Sequence, residues 1–327
     1  MKSEILKKLR EIDGYISGQE LCETFGVSRT AVWKAMNRLK EEGYEIVAVP
    51  NKGYQLIEQK DDLLNENEIK SRLSTNWIGT QTKYYDSIDS TNSEIKRLAD
   101  QELPHGTLVV TDQQNAGKGR RGRSWDSPDG VNIYMSLLLR PEFEPNRASM
   151  LTLVMALSVS KGIDEVCNCR TMIKWPNDIV LNKKKVCGIL TEMGLESDYI
   201  KYVVIGVGIN ANTETFKEEI ESTATSLRKE TGLLVQRAEL INKIMEHFEA
   251  NYATFLETED LSGLVEEYNE RLINKGSEVK VLDPREEYQG ISNGVNHLGE
   301  LEVIKHDGEK VQVYAGEVSV RGIYGYV

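Results

Sequence analysis

Gly117-Lys118-Gly119-Arg120-Arg121-Gly122-Arg123-Ser124-Trp125 puts four cationic side chains and three glycines into nine residues of a chain whose formal net charge is -12. Such a cluster suits an anion. Glycines let the backbone turn tightly and bring its N–H groups close to a ligand, and the cations neutralise phosphate or carboxylate charge. The spacing also satisfies Gly-x-Gly-x-x-Gly, and residues 107–111 before it have strand character. A dinucleotide site of that type needs a helix opening at the third glycine to receive the pyrophosphate. Here Ser124-Trp125-Asp126-Ser127-Pro128-Asp129-Gly130 follows. Proline and glycine predict a loop, so the fingerprint is a decoy. On this stretch alone the competing reading is a solvated basic loop.

The chain around it has 327 residues, enough for two or three domains, with the apolar and charged content of an ordinary soluble protein. No run of about 18 apolar residues occurs and the N-terminus lacks the apolar stretch of a signal peptide, so a cytoplasmic protein is expected. The four cysteines form no C-x-x-C pair and there are four histidines, which argues against zinc and against a disulfide framework. Cys167 and Cys169 read as buried thiols. Charge is unevenly placed: residues 1–60 hold ten Lys/Arg against nine Asp/Glu, so the acidic excess lies beyond them. Contact with nucleic acid is therefore sought in the first 60 residues.

There, Ile5, Leu6, Leu9 and Ile12 recur at helical spacing, a second short helix spans residues 18–25, and Gly26-Val27-Ser28 makes a turn whose serine can cap a third helix over 29–42. That helix buries Val32, Met36 and Leu39 and presents Arg29, Thr30, Lys34, Asn37, Arg38 and Lys40; Trp33 is expected in the core or at a domain contact. Two helices joined by a short turn, the second basic, form a helix-turn-helix. Residues 43–50 and 53–56 then read as the two strands of a wing, with Lys52 near a phosphate. A small partner-binding helical domain is the competing reading. The acidic Gln59-Lys60-Asp61-Asp62 reads as a linker, and 65–73 as a short capped helix.

In the central region a strand over 82–88 runs into Ser90-Thr91-Asn92. These polar groups can hold a neutral ligand or can simply cap the next helix, and local sequence favours the cap. After the basic loop come a buried strand over 131–140 and an apolar helix over 147–166. Lys174-Trp175-Pro176-Asn177-Asp178 interrupts a strand pattern; the proline demands an edge, bulge or kink and gathers Lys174, Asn177 and Asp178. Lys183-Lys184-Lys185 turns into a strand at 186–192. In Gly206-Val207-Gly208-Ile209-Asn210 the glycines mark a close approach to the backbone. Helices over 236–257 and 260–274 precede five short strands from residue 275 onward, a small β-barrel of about 50 residues.

With these parts in place, the sequence closely resembles the bifunctional bacterial biotin–protein ligases that also repress the biotin operon. The resemblance runs from about residue 3 to 324. It is carried by Ser90-Thr91-Asn92, by residues 114–125, by Lys174-Trp175-Pro176-Asn177-Asp178, by residues 185–192, by Gly206-Val207-Gly208-Ile209-Asn210 and by residues 316–322. It implies an α+β multidomain protein: a winged helix-turn-helix at 1–60, a class II synthetase-like α/β catalytic domain with a mixed sheet at 65–273, and an SH3-like barrel at 274–327. It further implies ATP with Mg²⁺, biotin as substrate, biotinyl-5′-AMP as intermediate, and a lysine of the biotin carboxyl carrier protein of acetyl-CoA carboxylase as acceptor. As repressor the protein would bind operator DNA of biotin genes as a homodimer when adenylate-bound.

By matching positions, Ser90, Thr91, Asn92 and Gln114 would hold the biotin head, with Lys118, Gly119 and Arg120 around the ureido ring, carboxylate and phosphate, and Trp125 as a wall. Arg121, Arg123, Asn210 and Arg321 would serve the nucleotide. Lys185 would contact the biotin carboxylate and then the adenylate phosphate; Arg120 and Lys185 would stabilise developing charge, and Asp178 would orient or deprotonate the incoming lysine. Ser28, Arg29, Thr30, Lys34, Asn37, Arg38 and Lys52 would face DNA. Mg²⁺ ligands are not legible. One position departs: the family usually has arginine where Lys118 stands, and lysine keeps the charge but loses the bidentate fork. A lipoate–protein ligase, a non-catalytic ligand-sensing repressor and a ligase with a vestigial N-terminal domain are the other readings.

Overall fold

The computed structural model describes residues 1–57, 62–101, 103–282, 286–314 and 319–322. Its N-terminal part is α1 (Lys2–Glu11), α2 (Gly18–Phe25), α3 (Arg29–Glu41) and a hairpin of β1 (Ile46–Val49) and β2 (Gly53–Leu56). Ser17 and Ser28 start the second and third helices by accepting the N–H groups of Glu20 and Ala31 at 3.0 and 3.3 Å. The apolar stripes of the helices close on one another around Ile5, Leu9, Leu21, Val32, Met36 and Leu39, which form a core of their own. The wing is tied back at its base, where Tyr54 and Ile16 exchange backbone hydrogen bonds at 2.8 and 2.9 Å. Gly53 is obligatory there: its φ is +113°, and a Cβ would lie 2.0 Å from the Ile16 carbonyl oxygen.

Next comes α4 (Glu66–Arg72), capped by Asn65. Its buried Glu68 accepts from both Arg10 and Arg72 at 2.6 Å, which locks α1 onto the central domain. Of the expected linker, residues 59–61 lie outside the described residues; the Asp62 side chain is 7% exposed and paired with Arg237.

The central domain is a seven-stranded mixed sheet in the order β3-β4-β5-β9-β8-β7-β6. Its strands are β3 (Thr82–Ile88), β4 (Leu108–Gln114), β5 (Ile133–Leu139), β6 (Met172–Lys174), β7 (Asp178–Leu181), β8 (Lys184–Glu196) and β9 (Tyr199–Ile209). Only β3 and β4 are parallel, because α5 (Thr91–Ala99) crosses between them; every other pair is antiparallel. Alternation divides the sheet's residues between two faces. Val109, Leu138 and Val204 pack with Ile95 and Leu98 of α5. Val110, Leu137, Ile205 and Val207 join the main core with α6 (Leu151–Cys167) and α9 (Arg237–Thr258). The short α7 (Glu218–Glu221), α8 (Leu227–Thr231) and α10 (Val265–Arg271) complete it.

One expectation changes here: residues 145–150 form a 3-10 turn before the long apolar helix. Of the edge, bulge or kink that the proline demands, the structure shows the edge: Trp175-Pro176-Asn177 turns between the edge strand β6 and β7, with Lys174 opposite Asp178. In that turn the missing N–H costs no ladder bond.

From β10 (Glu278–Leu282) the chain forms β11 (Glu287–Val295), β12 (Leu301–Lys305), β13 (Lys310–Val313) and β14 (Ser319–Gly322), all antiparallel in the order β13-β12-β11-β10-β14. This SH3-like barrel shares its core with the central domain, and the Gly299 carbonyl accepts from the Trp175 indole at 3.1 Å.

Candidate functional site

Where β4 ends, the basic loop folds into a small hairpin of its own. Gly119 N donates to Arg123 O at 2.7 Å and Trp125 N to Gly117 O at 2.9 Å. Arg121 and Gly122 at its tip both have positive φ, 58° and 73°. Only a three-residue 3-10 turn forms at Arg120–Gly122 and no α-helix opens at the third glycine, so the dinucleotide-type spacing has no dinucleotide-type structure behind it.

The hairpin overhangs the ends of β8 and β9 and bounds two adjoining cavities. The larger, about 870 Å³, is lined on one side by Arg121, Arg123, Asp178 and Asn210. The smaller, about 50 Å³, reaches Ser90, Thr91, Asn92 and Lys118 over a floor of Gly188, Gly206 and Gly208. Gln114, Gly119, Arg120, Trp125, Asn177 and Lys185 line both, so the cavities share one wall. All the nominated small-molecule residues with described side chains thus converge. Arg321 is on β14 opposite Lys280, and its side chain lies outside the described residues.

Ser90, Thr91 and Asn92 do not cap α5. Ser90 starts the helix without a side-chain cap bond and is 2% exposed. Instead Ser136 Oγ reaches Thr91 Oγ1 at 2.7 Å and Asn92 Oδ1 at 2.6 Å, and the Thr91 N–H donates to Gln114 Oε1 at 3.0 Å. Asn92 Nδ2 donates to Leu190 O at 3.2 Å and to Glu192 Oε2 at 2.7 Å. Burial would raise the Glu192 pKa, but its hydrogen bonds from Lys96 and Asn92 bring it below the ordinary carboxylate value. The local preference for a cap lost to partners on β5 and β8, which sequence proximity does not reveal.

The floor glycines are explained by what lies on them. A Cβ at Gly206 would sit 2.1 Å from Asn92 Oδ1, and one at Gly208 would sit 2.6 Å from the Trp125 indole nitrogen. That nitrogen is buried without a hydrogen-bond partner. Lys185 Nζ lies 2.6 Å from Asp178 Oδ1 and 5.3 Å from the centroid of the Trp125 ring. Its backbone bonds to Thr223 and Thr225, which brings that polar loop to the mouth of the large cavity. Arg120 donates to Asn177 Oδ1 at 2.9 Å. Burial lowers its pKa and the nearby Asp178 opposes this, so an anion delivered beside it would stabilise the charge further. Lys118 Nζ donates to Ser93 Oγ at 2.9 Å.

Cavity residues that were not nominated include Asn132, Asn177, Thr213, Phe216 and Lys217. Asn132 could have been suspected as a polar residue opening an apolar strand; Phe216 and Lys217 carry no such signal. Cys187 is fully buried and desolvation pushes its thiol pKa up, so it is no nucleophile. Among the described residues no cluster of three or more His, Cys, Asp or Glu could hold a metal ion. Mg²⁺ commonly arrives on substrate phosphates rather than in an all-protein cage. No helix among the described residues is long and apolar enough to cross a membrane.

On the N-terminal domain, Ser28, Arg29, Thr30, Lys34 and Arg38 are exposed on α3, Asn37 is half-buried, and exposed Lys52 sits at the tip of the wing. Trp33 is 57% exposed among them, which overturns the core half of its expectation and leaves the domain-contact half untouched. At helical spacing it lies beside Thr30 and Asn37, on the cationic face.

Residues 84–210 match the biotin/lipoate A/B protein ligase family, residues 2–55 an HTH domain, and residues 276–321 the biotin protein ligase C-terminal domain. The chain is 37% identical over 327 residues to the bifunctional ligase/repressor BirA of Bacillus subtilis, covering 98% of this chain and 100% of that one. The Escherichia coli protein of the same name is 33% identical over 308 residues, covering 93% and 92%. Among solved structures, the biotin protein ligase from Aquifex aeolicus in complex with biotin and ATP aligns with a TM-score of 0.65 at 30% identity, over 74% of this chain and 99% of that chain. A charged hairpin over two joined cavities, a winged helix ahead of them and an antiparallel barrel behind them are accounted for together: the chain belongs to the bifunctional biotin–protein ligase/repressor family.

Proposed function

We propose that this protein joins biotin to ATP in the two cavities, passes the biotinyl group to a lysine of the biotin carboxyl carrier protein of acetyl-CoA carboxylase, and represses biotin genes in the cytoplasm as an adenylate-bound homodimer. The observation that carries the reading is the shared wall. The biotin head enters the glycine-floored cavity by Asn92, and the nucleotide takes the larger one. Gln114, Arg120, Trp125 and Lys185 then stand where carboxylate meets α-phosphate. A carboxylate oxygen attacks the α-phosphorus, the α–β phosphoanhydride bond breaks, and pyrophosphate leaves with its electron pair. The lysine amine next attacks the acyl carbon, AMP departs, and the amine proton passes to a base, a role supported for Asp178 by its position on the large cavity. Such chemistry asks for positioning and charge neutralisation rather than a protein nucleophile.

Biotin-dependent ATP–pyrophosphate exchange tests this. Activity is expected in the parent, falling by about 10²–10³-fold in Arg120→Ala, the loss typical of removing one donor to a developing anion. A folded parent with no exchange in the presence of Mg²⁺ would leave a ligand-sensing repressor.

The exposed cations of α3 and the wing support the DNA reading. In gel shifts on operator DNA, Lys34→Ala or Arg38→Ala is expected to lower affinity across all sequences. Each should flatten the slope of log affinity against log salt by about 0.9 per lost phosphate contact. An unchanged slope in both would remove α3 from the phosphate backbone. The glycine-rich loop offers a link between the two activities, since ordering around biotinyl-AMP could complete a dimer surface that sets two α3 helices on a palindrome. Equal dimerisation with and without adenylate in sedimentation would break that link.

A further inference from the structure

Asp62, in the segment that leaves the DNA-binding domain, ends inside the catalytic domain. Its carboxylate accepts the backbone N–H of Arg237 at 2.9 Å and pairs with that residue's Nε, while Asn212 Nδ2 donates to it at 3.2 Å. Asp62 therefore covers the start of α9, where a negative charge is favoured, and is a counterion to a guanidinium 3% exposed. The same guanidinium donates through its NH1 nitrogen to Asp112 Oδ1 at 2.5 Å and to the Asn132 carbonyl at 3.0 Å. Asp112 precedes Gln114 of the shared wall on β4. Asn132 lines the large cavity, and its Oδ1 accepts from Ala211 N at 3.0 Å and Thr213 Oγ1 at 2.9 Å, just beyond Asn210.

We propose that Asp62 is a positioning residue of the nucleotide cavity, acting through Arg237 on Asn132 and the Ala211–Thr213 segment that Asn132 holds, while Asp112 on β4 keeps its own bond to Arg237. The inference rests on the assignment of the large cavity to the nucleotide. Burial raises the Asp112 pKa and Arg237 opposes it, so the cluster is a desolvated one in which loss of a partner is felt by the rest. With Asp62 removed, Arg237 keeps one carboxylate, its backbone N–H loses its acceptor, and the nucleotide side of the site shifts. The biotin cavity, held by Ser136 and Glu192, does not. A segment of the interdomain connection thus forms part of the support for the catalytic site.

The test is exchange kinetics on full-length Asp62→Ala and Asp62→Asn. Asp62→Ala is expected to raise KM for ATP by about tenfold, less than the ~10²-fold that a 1 Å misplacement can cost. KM for biotin should stay within about twofold, since no bond of the biotin cavity is lost. Asp62→Asn keeps an acceptor for the Arg237 N–H without the charge and should fall between. An unchanged KM for ATP in a folded variant overturns the proposal, as does a parallel rise of both KM values, which would mark a general loss of fold. If the alanine variant does not fold, the asparagine variant decides by the same criteria. Absence of exchange in the parent would sink the ligase reading, not this one. ATP affinity measured by calorimetry on the variants would then decide: weakened binding supports the role of Asp62 and unchanged binding overturns it.

Discussion

Lys185→Ala is expected to reduce biotin-dependent exchange by about 10³-fold, the upper end for one lost donor, with the fold intact. Lys185 lines both cavities; on the proposed assignment of biotin and nucleotide to them, its charge serves the carboxylate before reaction and the phosphate after it. Its partner in the structure, Asp178 at 2.6 Å, also lines the large cavity. The interaction with substrate therefore exchanges with an existing ion pair, and the useful part of its energy is what grows in the transition state. The loss should appear mainly in kcat, because a cation that serves developing charge contributes less to the ground state. Asp178 is then left without this cation, so Lys185→Arg, which keeps the pair, should retain more activity than alanine. Exchange within about fivefold of the parent in Lys185→Ala would be far below the donor's expected contribution and would remove it from the reacting centre.

The second large effect is expected from one methyl group. Gly206→Ala places its Cβ 2.1 Å from Asn92 Oδ1, and the amide has no easy retreat. Its oxygen accepts from Ser136 at 2.6 Å, and its nitrogen is held by Leu190 O and Glu192. Either the strand moves or three hydrogen bonds yield, and overpacking of this kind costs about 1–3 kcal/mol. Biotin affinity is expected to fall by about 10²-fold, because the displaced group forms the wall of the small cavity. Calorimetric titration with biotin, beside thermal unfolding, separates the two effects. Unaltered biotin binding in a folded Gly206→Ala protein would mean that biotin does not use this cavity.

Much of this was legible from local pattern. The three N-terminal helices, the wing and the C-terminal strands follow from periodicity and turn residues, whose physics is local. The basic loop could be separated from a dinucleotide turn because Pro128 and Gly130 forbid the helix that such a turn needs. What failed did so for one reason. Ser90-Thr91-Asn92 suits a helix cap, yet Ser136 and Glu192, distant in sequence, take the amide and one hydroxyl. Asp62 sits in an acidic linker by composition and in a buried ion cluster by fold.

The sequence by itself determined which residues are chemically able to act: a cationic glycine hairpin, Lys185, Asp178, three small floor residues and a basic helix. Tertiary structure alone decided which of them meet, because cavities form where β4, β8, β9 and the hairpin converge, and pairing across a sheet brings together residues far apart in the chain. It also decided that the glycines of β9 admit Asn92 and Trp125, and that the linker helps to support the catalytic domain. These are contacts between distant segments, whose free energy depends on burial and geometry that no local pattern contains.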